Sequence, residues 1–160
     1  MLRIRSPQDL GAALHAWATE WQALATAHGS MCQLDGLDDL GVVAVHATTL
    51  RRALLNLVQN ALDAMPPGGT LTLRGQRTAT AVALQVQDTG SGMDAATLAQ
   101  IFEPLYTTKP GGTGLGLYIV QEIMAAHGGR VTVESVVGQG TTFTLTLPLE
   151  GQESDAAGAA

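Results

Sequence analysis

The sequence predicts an α+β fold: a two-layer sandwich in which a mixed, mostly antiparallel sheet is covered by helices on one face. Three observations lead there. Thr70–Arg74 and Ala81–Asp88 alternate apolar and polar residues, as do Val131–Val137 and Thr141–Leu147, so two hairpins are expected. Residues 10–24, 47–65 and 115–127 instead carry apolar residues three and four apart, the period of helices with one buried face. Strands and helices do not alternate one by one, which argues against a doubly wound parallel sheet. The 160 residues fit one domain, here 1–149, followed by a Gly-, Ala- and Ser-containing acidic tail at 150–160 that is expected to be disordered.

Taken in order, Ser6-Pro7-Gln8-Asp9 predicts a helix start, with Ser6 as N-cap and Pro7 in the first helical position. Leu10, Leu14, Trp17, Trp21 and Leu24 form one stripe, expected in the core, and Gly29 stops the helix. Met31–Asp35 and Val42–Val45 are short strands. The helix from Ala47 to Met65 places Leu50, Leu54, Leu57, Val58, Ala61 and Met65 on its apolar face. Arg52, Asn56, Gln59, Asn60 and Asp63 fall on a separate polar stripe, and Pro66-Pro67-Gly68-Gly69 ends the helix. A short helix near 94–100 and the packing residues Ile101 and Phe102 precede a loop, Glu103 to Gly114, expected to be mobile. The last helix, Leu115–His127, turns Leu115, Ile119, Val120 and Ile123 inward, with Gly128 as its cap. The second hairpin turns at Gly138-Gln139-Gly140.

Composition narrows the function. A net charge of −6 with no basic run argues against general nucleic-acid binding, which needs a cationic face. Hydrophobic residues make up 46% of the chain and aromatics only 4%, so aliphatic side chains must fill the core. Cys32 is the only cysteine, which excludes an intramolecular disulfide and a cysteine zinc site. No apolar run approaches the ~20 residues of a membrane helix, and the N-terminus lacks a signal-peptide pattern. A cytoplasmic domain without direct membrane contact is expected, either alone or as the cytoplasmic part of a membrane-bound sensor.

The most distinctive stretch is Lys109-Pro110-Gly111-Gly112-Thr113-Gly114-Leu115-Gly116-Leu117-Tyr118. A glycine-rich loop opening into a helix offers backbone N–H groups at the positive end of the helix dipole, a setting suited to phosphate. It is not a Walker A loop, because its only lysine precedes the glycines. It is not a dinucleotide fingerprint either, because Leu117 stands at the fifth position after Gly112.

Four further features fit a nucleotide. Asn56 and Asn60 lie four apart on one helix face, and their amide oxygens are hard ligands suited to Mg²⁺; taken alone they read as amides that are solvated or cap neighbouring backbone. Asp88 shares parity with Val82, Leu84 and Val86, so it points to the buried side, where a carboxylate could accept a hydrogen bond from an exocyclic amine. The alternative is an Asp that merely starts the turn Asp88-Thr89-Gly90. Thr141 shares parity with Phe143, Leu145 and Leu147, which is also what an ordinary strand threonine would do. Lys109 could reach a phosphate as a point charge or simply be a solvated loop lysine.

Together, Asn56-x-x-x-Asn60, Asp88-Thr-Gly-Ser-Gly-Met, Phe102-Glu-Pro-Leu-Tyr-Thr-Thr-Lys109, Gly112-Thr-Gly114-Leu-Gly116 and Gly138-Gln-Gly140-Thr141 resemble, in order, the N, G1, F, G2 and G3 boxes of sensor histidine kinase catalytic domains. The resemblance spans about residues 8 to 148 and is closest to the nitrogen-regulation branch. It implies the Bergerat ATP-binding fold shared with gyrase, Hsp90 and mismatch-repair ATPases.

On that resemblance Asn60 coordinates Mg²⁺, and Asn56 helps to bind metal or phosphates. Asp88 takes the adenine amine, Gly90 and Gly92 shape the pocket, and Thr141 supports the contact. Gly112, Thr113, Gly114, Leu115 and Gly116 wrap the phosphates, and Lys109 sits in an ATP lid expected to order only around the γ-phosphate. Gyrase-like ATPases have a water-activating Glu at the position of Asn56, so the resemblance also implies transfer rather than hydrolysis.

None of His15, His28, His46 or His127 has the sequence context of a phospho-acceptor; His46 suits a solvated or capping role and His127 a partial positive charge at a helix C-terminus. The acceptor histidine is therefore expected on a separate dimerisation domain that passes the phosphoryl group to a response regulator. Two alternatives share the fold: an anti-sigma-type serine kinase and a non-catalytic ATP-gated interaction module.

Overall fold

The structure is a computed structural model that describes residues 5–107 and 115–149. Among the described residues there are seven strands and four helices: β1 (Ser6–Asp9), α1 (Leu10–Ala27), β2 (Met31–Asp35), β3 (Val42–Val45), α2 (Ala47–Ala64), β4 (Thr70–Arg77), β5 (Ala81–Gln87), α3 (Ala95–Leu98), α4 (Gly116–Ala126), β6 (Arg130–Val136) and β7 (Gly140–Pro148). Five strands form one sheet in the order β2-β4-β5-β7-β6. Only β2 and β4 run parallel, and α2 lies in the crossover between them, as a parallel pair requires. The expected mixed, mostly antiparallel sheet and its two hairpins, β4–β5 and β6–β7, are present.

One element differs. Residues 6–9 form no helix start; they pair antiparallel with β3 as a separate two-stranded sheet. Pro7 has no N–H to give to a ladder and is tolerated in a strand with an open edge. The helix begins three residues later, at Leu10, and Asp9 is its N-cap, accepting from the Ala12 N–H at 3.1 Å. The pairing of β1 with β3 takes residues 6–9 out of the helix, so Asp9 and not Ser6 is the cap.

The layers meet through alternation and helical period. Leu50, Leu54, Leu57, Val58 and Ala61 of α2 are buried together with Leu71, Leu73, Val82, Leu84, Val86, Phe143, Leu145 and Leu147 from the sheet. The α1 stripe joins this core through Leu10, Leu14 and Trp21, with Trp17 and Leu24 partly buried at its margin. In α4 the buried pair is Val120 and Met124. Leu115, expected inward, is exposed, because it is the residue before the helix and escapes the helical period. Residues 103–107 continue as turns, whereas residues 108–114 and the tail from 150 lie outside the described residues.

His127 corrects another expectation. The ring is buried, at 2% exposure, where α4 ends against the start of α2. Its Nε2 accepts from the backbone N–H of His46 at 3.0 Å, and its Nδ1 lies 2.9 Å from the Ile123 carbonyl. This pairing fixes the neutral tautomer with the proton on Nδ1. Burial lowers its pKa below 6.5; the Ile123 bond opposes that, and Arg5 and His46 add to the lowering. The unfolded chain takes up a proton near 6.5 and the native ring only at lower pH. The stability His127 contributes is therefore complete above 6.5 and is lost as pH falls through the native value. Urea midpoints measured at neutral pH and about two units lower should fall further for the wild type than for His127→Gln. Parallel loss in both proteins would exclude this source. His46 does cap α2, its Nδ1 accepting from the Thr49 N–H at 3.4 Å.

Candidate functional site

Asp88 directly follows β5, and its N–H continues the ladder to the Thr141 carbonyl at 2.9 Å. Its side chain is 5% exposed. One carboxylate oxygen, Oδ1, accepts both the Gly90 N–H at 2.8 Å and the Thr141 N–H at 3.2 Å. The two readings of Asp88 thus coexist: it starts a turn, and it is buried. Burial pushes its pKa up from 3.8, and the two N–H donors pull it back part of the way. No described residue donates to Oδ2, which leaves one fixed acceptor for an outside donor.

The loop after Asp88 is held on both sides. The Ser91 N–H donates to the Ala64 carbonyl at the end of α2 (3.1 Å), and the Ser91 carbonyl accepts from Gly138 at 2.7 Å. A Cβ on Gly90 would overlap the Ala64 carbonyl oxygen, and one on Gly92, whose φ is +72°, would overlap that of Val136. These glycines let protein backbone approach protein backbone, fixing the loop that carries Asp88.

A second group lies along α2. Asn56 and Asn60 are half-buried one turn apart. Asn56 Nδ2 donates to the Gly116 carbonyl at 3.3 Å, so the helix carrying both asparagines is tied to the start of α4. That bond leaves the Asn56 amide oxygen without a described partner. A half-buried hard oxygen beside a helix start fits Mg²⁺, which takes few protein ligands and keeps waters and phosphate oxygens. At α4 itself the first intrahelical bond is Ile119 N–H to Leu115 carbonyl, and no side chain caps the turn. Among the described residues, the N–H groups of Gly116, Leu117 and Tyr118 have no helical acceptor. A Cβ on Gly116 would meet nothing within 4 Å, so the surrounding protein does not require glycine there.

The structure thus links Asp88, Gly90 and Thr141 by hydrogen bonds, sets Gly92 against the Val136 backbone, and joins Asn56 to Gly116, with α2 running between the two groups. Lys109, Gly112, Thr113 and Gly114 lie outside the described residues. One participant escaped sequence reasoning. Ser135 is the cross-strand partner of Thr141, and its hydroxyl lies 2.8 Å from that of Thr141. Counting outward from the Gly138 turn along the hairpin pairs these two residues, which is the signal that could have found it.

Known proteins resemble this chain in sequence and in fold. The family of histidine kinase-, DNA gyrase B- and HSP90-like ATPases matches residues 45–151. The sensor histidine kinase ZraS of Klebsiella oxytoca is 38% identical over 134 residues, 83% of this chain and 27% of that protein. The chain spans about a quarter of the length of these curated relatives. Among solved structures, the nucleotide-free catalytic domain of histidine kinase ThkA superposes with a TM-score of 0.80 at 27% identity, covering 91% of this chain and 95% of that one. Full-length ShkA in complex with AMPPNP gives 0.83 at 31% identity, covering 93% of this chain and 32% of that one. Membership of an ATPase family implies ATP binding, and the α+β architecture is that of histidine kinase catalytic domains. The chain belongs to the histidine kinase-, DNA gyrase B- and HSP90-like ATPase family.

Proposed function

We propose that this domain holds ATP with its adenine amine on Asp88 and its phosphates at the start of α4, and transfers the γ-phosphoryl group to a histidine on a separate dimerisation domain. The observation that carries the reading is the buried Asp88 carboxylate, with one oxygen locked by Gly90 and Thr141 and the other open to a donor. Asn60, helped by Asn56, holds Mg²⁺, which when bound neutralises phosphate charge. Gly112, Thr113, Gly114, Leu115 and Gly116 wrap the phosphates, with Lys109 in the lid over them. Asn56 lies where a hydrolase needs a base, but an amide takes no proton at neutral pH, so water is poorly activated and the phosphoryl group is kept for an acceptor.

The histidines of this chain support an external acceptor. His15 pairs with Asp38, His28 lies against the Met65 carbonyl, His46 caps α2 and His127 is buried. The domain would act on the cytoplasmic side, and the phosphohistidine would pass its group to a response regulator.

The test is phosphorylation of a cognate dimerisation domain with ATP radiolabelled at the γ position. Label that is lost in acid and kept in alkali is expected, and Asn60→Ala should lower it by roughly 100-fold, because charge stabilisation of this kind is worth several kcal/mol. Acid-stable label would identify a serine kinase instead. Binding of ATP with no label on any partner would identify a non-catalytic module.

A further inference from the structure

Three polar groups converge on one atom, Ser135 Oγ: the Met93 N–H at 2.7 Å, the Thr141 hydroxyl at 2.8 Å and the Gly140 carbonyl at 3.1 Å. A serine hydroxyl has one hydrogen and two lone pairs. The Gly140 carbonyl can only accept, so it takes the serine hydrogen. The Met93 N–H can only donate, so it takes one lone pair. The second lone pair faces Thr141, whose hydroxyl must therefore donate to Ser135. The reverse arrangement would leave the Ser135 and Gly140 oxygens 3.1 Å apart with no hydrogen between them.

The frame around this hydroxyl is rigid. Ser135 and Thr141 face each other across β6 and β7, and the Thr141 N–H is held by Asp88 Oδ1. With its proton directed at Ser135, the Thr141 oxygen has only lone pairs left for any ligand.

Resting on the adenine reading above, we propose that Ser135 is a positioning residue that locks the Thr141 hydroxyl as a hydrogen-bond acceptor. Together with the open oxygen of Asp88, the site then presents acceptors alone. It favours a purine with an amino group at position 6 and disfavours one with a carbonyl oxygen there. Thr141 by itself could rotate and donate to that carbonyl; Ser135 removes the option.

The experiment is calorimetric titration of ATP and inosine triphosphate, which differ at position 6, into the wild type, Ser135→Ala and Ser135→Thr. The wild type is expected to prefer ATP. Ser135→Ala frees the Thr141 hydroxyl, so the ATP-to-ITP affinity ratio should fall roughly three- to tenfold, the worth of one hydrogen bond. Ser135→Thr keeps a hydroxyl and should keep the ratio. A general loosening of the pocket would weaken both nucleotides and leave the ratio unchanged. If the alanine variant does not fold, Ser135→Cys, whose thiol is a weak donor and acceptor, should lower the ratio in the same direction. Equal affinities in the wild type would overturn the adenine reading and the lock with it. A wild-type preference that persists undiminished in the alanine or cysteine variant would overturn the lock alone.

Discussion

Asp88→Asn is expected to fold normally and to lose ATP affinity by about 10- to 100-fold, the range for a hydrogen bond to a charged group made and then reversed in sign. The asparagine oxygen can replace Oδ1 and keep the Gly90 and Thr141 N–H groups satisfied. Its NH₂ group then occupies the place of Oδ2 and faces the adenine amine donor to donor. Fold and binding separate for an electrostatic reason. Burial raises the native pKa of Asp88 above 3.8, so its favourable contribution to stability exists below 3.8 and is lost as pH rises through the native value. At neutral pH the ionised carboxylate costs stability, and the amide should leave the thermal midpoint unchanged or higher. Calorimetric titration with ATP and a thermal melt check the pair. Undiminished ATP affinity in Asp88→Asn would remove the adenine role from this residue.

Gly140→Ala should have the largest effect on stability. Gly140 has a φ of +130°, which side-chain-bearing residues rarely adopt, and an added Cβ would overlap the Asp88 carbonyl oxygen and lie 3.2 Å from the Thr89 Cα. Both obstacles are backbone and cannot rotate aside. The start of β7 would be pushed from the Asp88 loop, and the Thr141-to-Asp88 bond would go with it. Strain and overpacking together cost about 3–5 kcal/mol, or a thermal midpoint lower by roughly 10 °C or more. Gly138 in the same turn is the control. It also has positive φ, +82°, but a Cβ there meets nothing within 4 Å, so Gly138→Ala should cost only about 1–2 kcal/mol. Equal losses in the two variants would show that the contact with Asp88 is not what makes glycine necessary at 140.

The legible parts of this protein were those set by a local period. The apolar face of α2 is buried as its 3.6-residue spacing requires, and the period-2 parity that turned Asp88 and Thr141 inward is met by 5% exposure at each. Where a second segment decides, the sequence alone misled. Ser6-Pro7 carries a helix-start pattern, yet it pairs with Val45 and Ala44, some forty residues away. The helix dipole favours charge on His127, but burial and the His46 N–H hold the ring neutral. Ser135 was invisible because its role exists only through Thr141, across the hairpin.

The contacts at His127 also bear on the order in which the domain closes. Arg5 donates to the His127 carbonyl at 2.8 Å across 122 residues of sequence, and His46 donates to its ring across 81. Contacts of such separation form late, because long loops must close before they contribute. The main sheet obeys the same order, since β5 is flanked by β7 from the far end of the chain. With residues 5–100 alone in place, β5 keeps one bare edge and the His46 N–H at the start of α2 is unclaimed. Within this domain, α4, β6 and β7 cover surfaces that the elements before them leave open.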